Sequence, residues 1–218
     1  MRDFSADHRW LSLNTATVRK QGDLSQIIEA CARHGVRAID PWRDQVAAIG
    51  LDRAVRAVRD AGLELSGYCR GGMFTSDAAH RIEPLHPAYA ADRACVNTTK
   101  QALDICDRLD PGRAGLLGVA LDVYHIWWDP ELKPQIARAG KDRLLAFHVC
   151  DWLVPTRDIL NDRGMMGDGV IDITSVRSAA EAQGFAGYSE IEIFSNDWWN
   201  KPMDEVLKTC IERHRTVV

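Results

Sequence analysis

Long apolar runs are missing from this 218-residue chain. No stretch approaches the roughly 18 residues that a membrane-crossing helix needs. The charged opening, residues 1–10, contains no apolar core of a secretory signal. A cytoplasmic protein with no membrane partner is expected. Basic charge is not in excess either: 27 Lys and Arg face 31 Asp and Glu, a net charge of −4. Proteins that grip nucleic acid usually carry a basic face, so no nucleic-acid partner is expected. Six cysteines, Cys31, Cys69, Cys95, Cys106, Cys150 and Cys210, are scattered with no CxxC pair. That is neither a zinc-ribbon pattern nor a disulfide framework, and it suits small core residues in a reducing compartment. The glycines of Arg70-Gly71-Gly72 lack the spacing of a dinucleotide fingerprint or a phosphate-binding loop. No serine sits in a nucleophile elbow.

What is present is a repeat. Leu24, Ile27, Ile28 and Cys31 fall at helical spacing, Gly35 ends that helix, and the apolar run from Val36 to Asp40 follows. Ala54, Val55, Val58 and Ala61 repeat the pattern before Gly62 and the run at 63–69. Ile173, Val176 and Ala180 do so again before Gly184 and the run at 189–194. Glycine just past a helix end accepts the left-handed conformation that turns the chain back toward a strand. Helices alternating with short strands imply parallel pairing through right-handed crossovers, in a doubly wound sheet or a barrel. Seven strands are expected, near residues 11–14, 36–41, 63–69, 81–84, 117–122, 144–149 and 189–194. With no linker and 46% hydrophobic residues, one domain over residues 1–218 is expected. Between Arg70 and Arg81 too little chain remains for a crossover helix, since a parallel connection takes about a dozen residues or more. A complete eight-stranded barrel typically takes about 250 residues. The expected fold is therefore α/β, a TIM-barrel-like (β/α) barrel, incomplete, with about seven parallel strands and shortened around 71–82.

Four polar residues stand at or near the C-terminal ends of four of these strands. They are Glu83 in Ile82-Glu83-Pro84-Leu85-His86-Pro87, Asp122 in Ala120-Leu121-Asp122, His148 in Phe147-His148-Val149, and Glu192 in Glu190-Ile191-Glu192. A charge inside an apolar strand is costly to bury unless it is paired or bound to a metal. In parallel α/β folds the strand C-terminal ends form the active-site face, so four such groups are expected to converge. Three carboxylates and one imidazole suit one divalent ion, with Mn²⁺, Mg²⁺ or Co²⁺ favoured and Zn²⁺ compatible. Glu190 competes with Glu192, because alternation puts both on one face. Glu192 is nearer the strand end and is taken as the ligand, with Glu190 as a deeper carboxylate of the core network.

At these residues the sequence resembles the sugar phosphate isomerase/epimerase family, the xylose-isomerase-like barrels. That family includes ketose 3-epimerases, hydroxypyruvate isomerase and inosose-processing enzymes. The resemblance rests on the segments IEPLHP, LDVYHIWWDP, FHVCDW, GMMGDGVID and EIEIF, and runs from Ile82 to the C-terminus. It implies a metal-dependent isomerase or epimerase acting on a small polyhydroxy carbonyl or sugar substrate through an enediolate. It implies Glu83, Asp122, His148 and Glu192 as metal ligands, and Glu83 and Glu192 as the pair that removes and returns the proton. His125 and Arg157 are implied as the residues that hydrogen-bond the substrate.

Three departures from the family pattern stand out: the shortened stretch, the distance of Arg157 beyond His148, and Tyr89, where the epimerases have a further acidic residue. Two rival readings use the same residues. One is an inosose-type dehydratase, in which the enediolate loses water. The other is a catalytically impaired barrel remnant that binds metal or a partner, whose exposed strand edges favour a homo-oligomer. The apurinic-site endonucleases share the barrel, but the acidic balance and the single-metal ligand set argue against them. The pairs Trp127-Trp128 and Trp198-Trp199 are candidates for a substrate wall or for packing.

Overall fold

The computed structural model describes residues 1–69, 80–89 and 94–218. The shortened stretch therefore lies outside the described residues except for its last part, 80–82. Among the described residues there are nine strands: β1 (Leu11–Asn14), β2 (Ala38–Asp40), β3 (Glu64–Leu65), β4 (His80–Ile82), β5 (Leu117–Asp122), β6 (Leu144–Val149), β7 (Asp151–Trp152), β8 (Arg163–Gly164) and β9 (Ser189–Ile191). Seven of these, β1 to β6 and β9, pair in parallel with neighbours in their own unit, and each falls on an expected position. The pair β7 and β8 is antiparallel and was not foreseen. Two-residue strands are too short to show any alternation. No helix among the described residues is long and apolar enough to cross a membrane.

Contacts divide the chain into two compact units interleaved in sequence. The first comprises Met1–Arg2, Met73–Val149 and Ile171–Gly187; the second comprises Asp3–Gly72, Cys150–Val170 and Tyr188–Val218.

In the first unit β4, β5 and β6 run parallel, with Ile82 opposite Val119 and Asp122 opposite His148. Residues 118–122 of β5 and 146–149 of β6 are buried, so the strands read as near-continuous apolar runs, as a sheet covered on both faces requires. Gly118 permits this packing, because a Cβ there would stand 2.6 Å from the Arg143 carbonyl oxygen and 2.5 Å from Leu145 Cγ. The helix Thr99–Leu109 starts at Thr98, whose hydroxyl accepts from the Gln101 amide while the Gln101 side chain returns the bond. Its end is tied by the buried Arg143 guanidinium, which donates to Asp110 Oδ2 at 2.6 Å and to the Leu117 carbonyl at 2.7 Å. Ile173, Val176 and Ala180 bury the expected stripe of the helix Ile173–Ala182.

In the second unit the parallel order is β3-β2-β1-β9, with Leu13 between Ile39 and Ile191. Asp23 and Gln26 form a reciprocal cap at the start of the helix Leu24–Arg33, whose Leu24, Ile27, Ile28 and Cys31 are buried. Gly35 and Gly62 follow their helices at φ +69° and +67°, the left-handed turns that the sequence pattern requires. The second helical stripe is less covered than its periodicity suggests, with Val55 46% exposed, and Leu65 on the strand that follows is 58% exposed. Strand β3 is the outer strand of this order, with β2 as its one partner among the described residues.

Candidate metal centre

In the first unit the strand register places two of the proposed ligands side by side. Asp122 ends β5 directly opposite His148 on β6, and neighbouring parallel strands stand about 4.8 Å apart. Asp122 is fully buried and His148 nearly so. One Asp122 oxygen, Oδ1, caps the short helix Val123–Ile126 by accepting from the Tyr124 amide at 2.9 Å. Glu83 follows β4 immediately, and its Oε1 lies 3.6 Å from His148 Nδ1. Each of Glu83, Asp122 and His148 offers a ligand atom within 4.8 Å of the others. Atoms bound at about 2.0–2.5 Å to one ion stand no more than about 5 Å apart. The spacing and the hard oxygen-plus-imidazole chemistry therefore fit a divalent cation.

His125 adjoins this group, its Nε2 3.6 Å from Asp122 Oδ2. Its Nδ1 accepts the His86 backbone N–H at 3.2 Å. An amide only donates, so the neutral imidazole carries its proton on Nε2, facing Asp122. Tyr89 meets the His125 ring edge-on with centroids 5.6 Å apart. The Trp128 indole donates to the His125 carbonyl at 2.8 Å, and the His86 ring meets Trp128 edge-on. Burial holds the His86 imidazole below its ordinary basicity. This side of the group is aromatic.

Glu192 follows β9 in the second unit and is 5% exposed. Arg163, equally buried, donates through Nη1 to Glu192 Oε2 and to the Glu192 carbonyl, both at 3.1 Å. Its guanidinium carbon lies 5.2 Å from the Phe194 ring centroid, a cation–π distance. Sequence reasoning passed over Arg163. It sits in Asp162-Arg163-Gly164 with no apolar pattern around it, and the available signal was a lone basic residue in the run leading to Gly167-Asp168-Gly169.

Arg157, implied as a substrate residue, has an exposed side chain. Its Nε and backbone N–H donate to Asp162 Oδ2 at 3.1 and 3.0 Å, and its Nη2 donates to Asp162 Oδ1 and, at 2.6 Å, to Asp197 Oδ2. Arg157 holds the Asp162 carboxyl below the usual carboxylate range.

Glu190 occupies a separate network. It accepts from Asn14 Nδ2 at 2.9 Å and from the Ser66 hydroxyl at 3.1 Å, while Asn14 Oδ1 accepts the Trp42 indole N–H at 2.7 Å. Asp40, Cys69 and Glu190 also offer ligand atoms within 4.8 Å of one another. Of the tryptophan pairs, Trp128 stands beside His125, whereas Trp199 is buried and donates to the Ala16 carbonyl at 2.9 Å. The loop after β8 is fixed by Asp151, which accepts the Gly167 amide at 2.9 Å. Asp168 pairs with Arg213 at 2.9 Å.

Comparison with known proteins shows the family of this chain. The sequence pattern described as xylose isomerase-like TIM barrel matches residues 81–213. A Sinorhizobium meliloti 1021 protein of known crystal structure is 46% identical, covers 95% of this chain and 98% of its own, and superposes with a TM-score of 0.88. Inosose isomerase from Bacillus velezensis is 26% identical over 129 residues, which are 56% of this chain and 44% of that protein. The match thus spans less than half of that curated relative. The crystal structure of the IOLI protein with a bound zinc atom shares the fold at a TM-score of 0.63 and 15% identity, over 92% of this chain and 94% of its own.

Proposed function

This chain belongs to the xylose isomerase-like TIM barrel family, and from that premise we propose that it is a divalent-metal-dependent isomerase or epimerase of a small polyhydroxy carbonyl compound. The observation that carries the reading is the group of half-exposed Glu83 with buried Asp122 and His148, whose ligand atoms lie within 4.8 Å of one another at the C-terminal ends of parallel strands. We assign Glu192 as the fourth ligand, on its place just past β9 and on the family pattern of a final strand glutamate. The names of two relatives support the chemistry: one is an inosose isomerase, and the other holds zinc.

A divalent ion bound there supplies Lewis-acid stabilisation of the charge that builds on the substrate carbonyl oxygen. The chain's own part is proton transfer. Glu83 and Glu192 are the carboxylates that remove and return the proton on the carbon beside the carbonyl, through an enediolate, with Glu192 buried and Glu83 half-exposed. His125, protonated on Nε2, donates to a substrate oxygen. Arg163 is the cation that orients the Glu192 carboxylate, through the two contacts described above.

Calorimetric titration with Mn²⁺ tests the reading without any substrate. The native chain binds, and His148→Ala and Glu192→Gln each weaken binding by at least tenfold, the scale on which even outer partners of a metal act. Equal affinity in all three proteins rejects the site. Product analysis on ketose and inosose substrates then separates isomerisation from loss of water.

A further inference from the structure

The segment between β7 and β8, residues 153–162, carries Arg157 away from the strands and returns to Arg163. Two backbone hydrogen bonds then lay residues 161–163 antiparallel against 194–196. The Arg163 amide donates to the Phe194 carbonyl at 2.9 Å and the Asn196 amide donates to the Asn161 carbonyl at 3.0 Å, which sets Asp162 opposite Ser195. One of these two segments bears Arg163, and the other begins two residues after Glu192. Arg157 spans them both. Its guanidinium is bonded to Asp162 on the first segment and to Asp197, the residue just after the second, while its own backbone N–H is fixed on Asp162. Asp162 is 3% exposed, so this end of the clasp is anchored inside the unit.

We propose that Arg157 is a positioning residue that fixes Arg163, and through it the direction of the Glu192 carboxylate. This rests on the reading of Glu192 as a metal ligand given above. It departs from the substrate-binding role that the family resemblance implies for Arg157. The distinction is physical. A substrate residue contributes when substrate is present, whereas a clasp acts on the metal-binding geometry before any substrate arrives. Lysine at this position keeps the charge and reaches one carboxylate, but it lacks the fork that holds two partners at once.

The test uses the full chain, Mn²⁺ alone as the probe, and hydrogen exchange at single amides. In Arg157→Ala, Mn²⁺ affinity falls about tenfold, as for the loss of an outer partner of a metal ligand, and the Arg163 amide exchanges faster. Arg157→Lys restores part of both. Asp197→Asn, an exposed change that leaves the buried half of the clasp intact, gives an intermediate loss. A rise in KM with Mn²⁺ affinity within twofold of the native value overturns the proposal in favour of substrate binding. Unchanged protection of the Arg163 amide overturns it outright. If the native chain binds no Mn²⁺, the metal reading itself has failed, and the exchange measurement still decides whether Arg157 holds Arg163.

Discussion

The backbone N–H of His86 donates to Nδ1 of His125 at 3.2 Å, and that contact decides which nitrogen of the imidazole carries the proton. The ring therefore presents an Nε2–H toward Asp122 while its other nitrogen is held by the loop between Pro84 and Pro87. His125→Phe keeps the edge contact with Tyr89 but removes the donor. Turnover is expected to fall by about 10²-fold, the usual effect of losing one donor to a developing oxyanion, with Mn²⁺ affinity close to native. Steady-state kinetics alongside calorimetry check this; a variant with native turnover removes His125 from the reaction.

Arg163 and Glu192 form a buried ion pair. Arg163→Met fills similar volume but leaves the carboxylate without its cation. Breaking one side of such a pair destabilises by about 3–5 kcal/mol, read as a lower urea midpoint. Saturating Mn²⁺ should recover part of the loss, since it again places positive charge at Glu192 and stabilises whichever state binds it. No recovery on adding the ion argues that Glu192 is not a ligand.

Gly169 is required for a steric reason. A Cβ there would stand 2.2 Å from the Trp152 carbonyl oxygen and 2.5 Å from Asp151 Oδ1, the carboxylate that also holds the Gly167 amide. Gly169→Ala must displace the loop after β8, at a cost of about 1–3 kcal/mol as for other overpacked sites. Chemical denaturation measures it. An unchanged midpoint would show that the loop yields without strain.

The Asp162 carboxyl is held below its ordinary value of 3.8, first by the Arg157 side chain and then by the Arg157 amide. A carboxyl depressed in the folded state contributes stability that is fully present above the unfolded value and is lost as pH falls through the folded one. The native protein should therefore outlast Asp162→Asn in thermal melts at pH 5–7. The gap should close below about pH 4. A gap that persists or widens in acid contradicts the assignment.

Much of the fold was legible before any coordinates. Gly35, Gly62 and Gly184 each end a helix with an apolar run behind it, and that recurring triplet located the parallel strands. Glu83, Asp122 and His148 were legible for a related reason, since charge at the end of a buried strand needs a partner. The pair β7 and β8 left no trace, because two residues cannot show a period. Arg157 came from the resemblance, as a basic residue beyond His148, and Arg163 was passed over because nothing in its local pattern marked it.

The sequence by itself determined where chain reversals fall and which strands are buried, because backbone conformation and apolar periodicity act over a few residues. It also determined the chemical types gathered at the strand ends. Only the tertiary structure decided which partner each charge takes. Arg163 reaches Glu192 across 29 positions of chain, and Arg157 reaches Asp197 across 40. Such pairings depend on where the folded backbone brings distant segments together, and that distance is not written in any local pattern of residues.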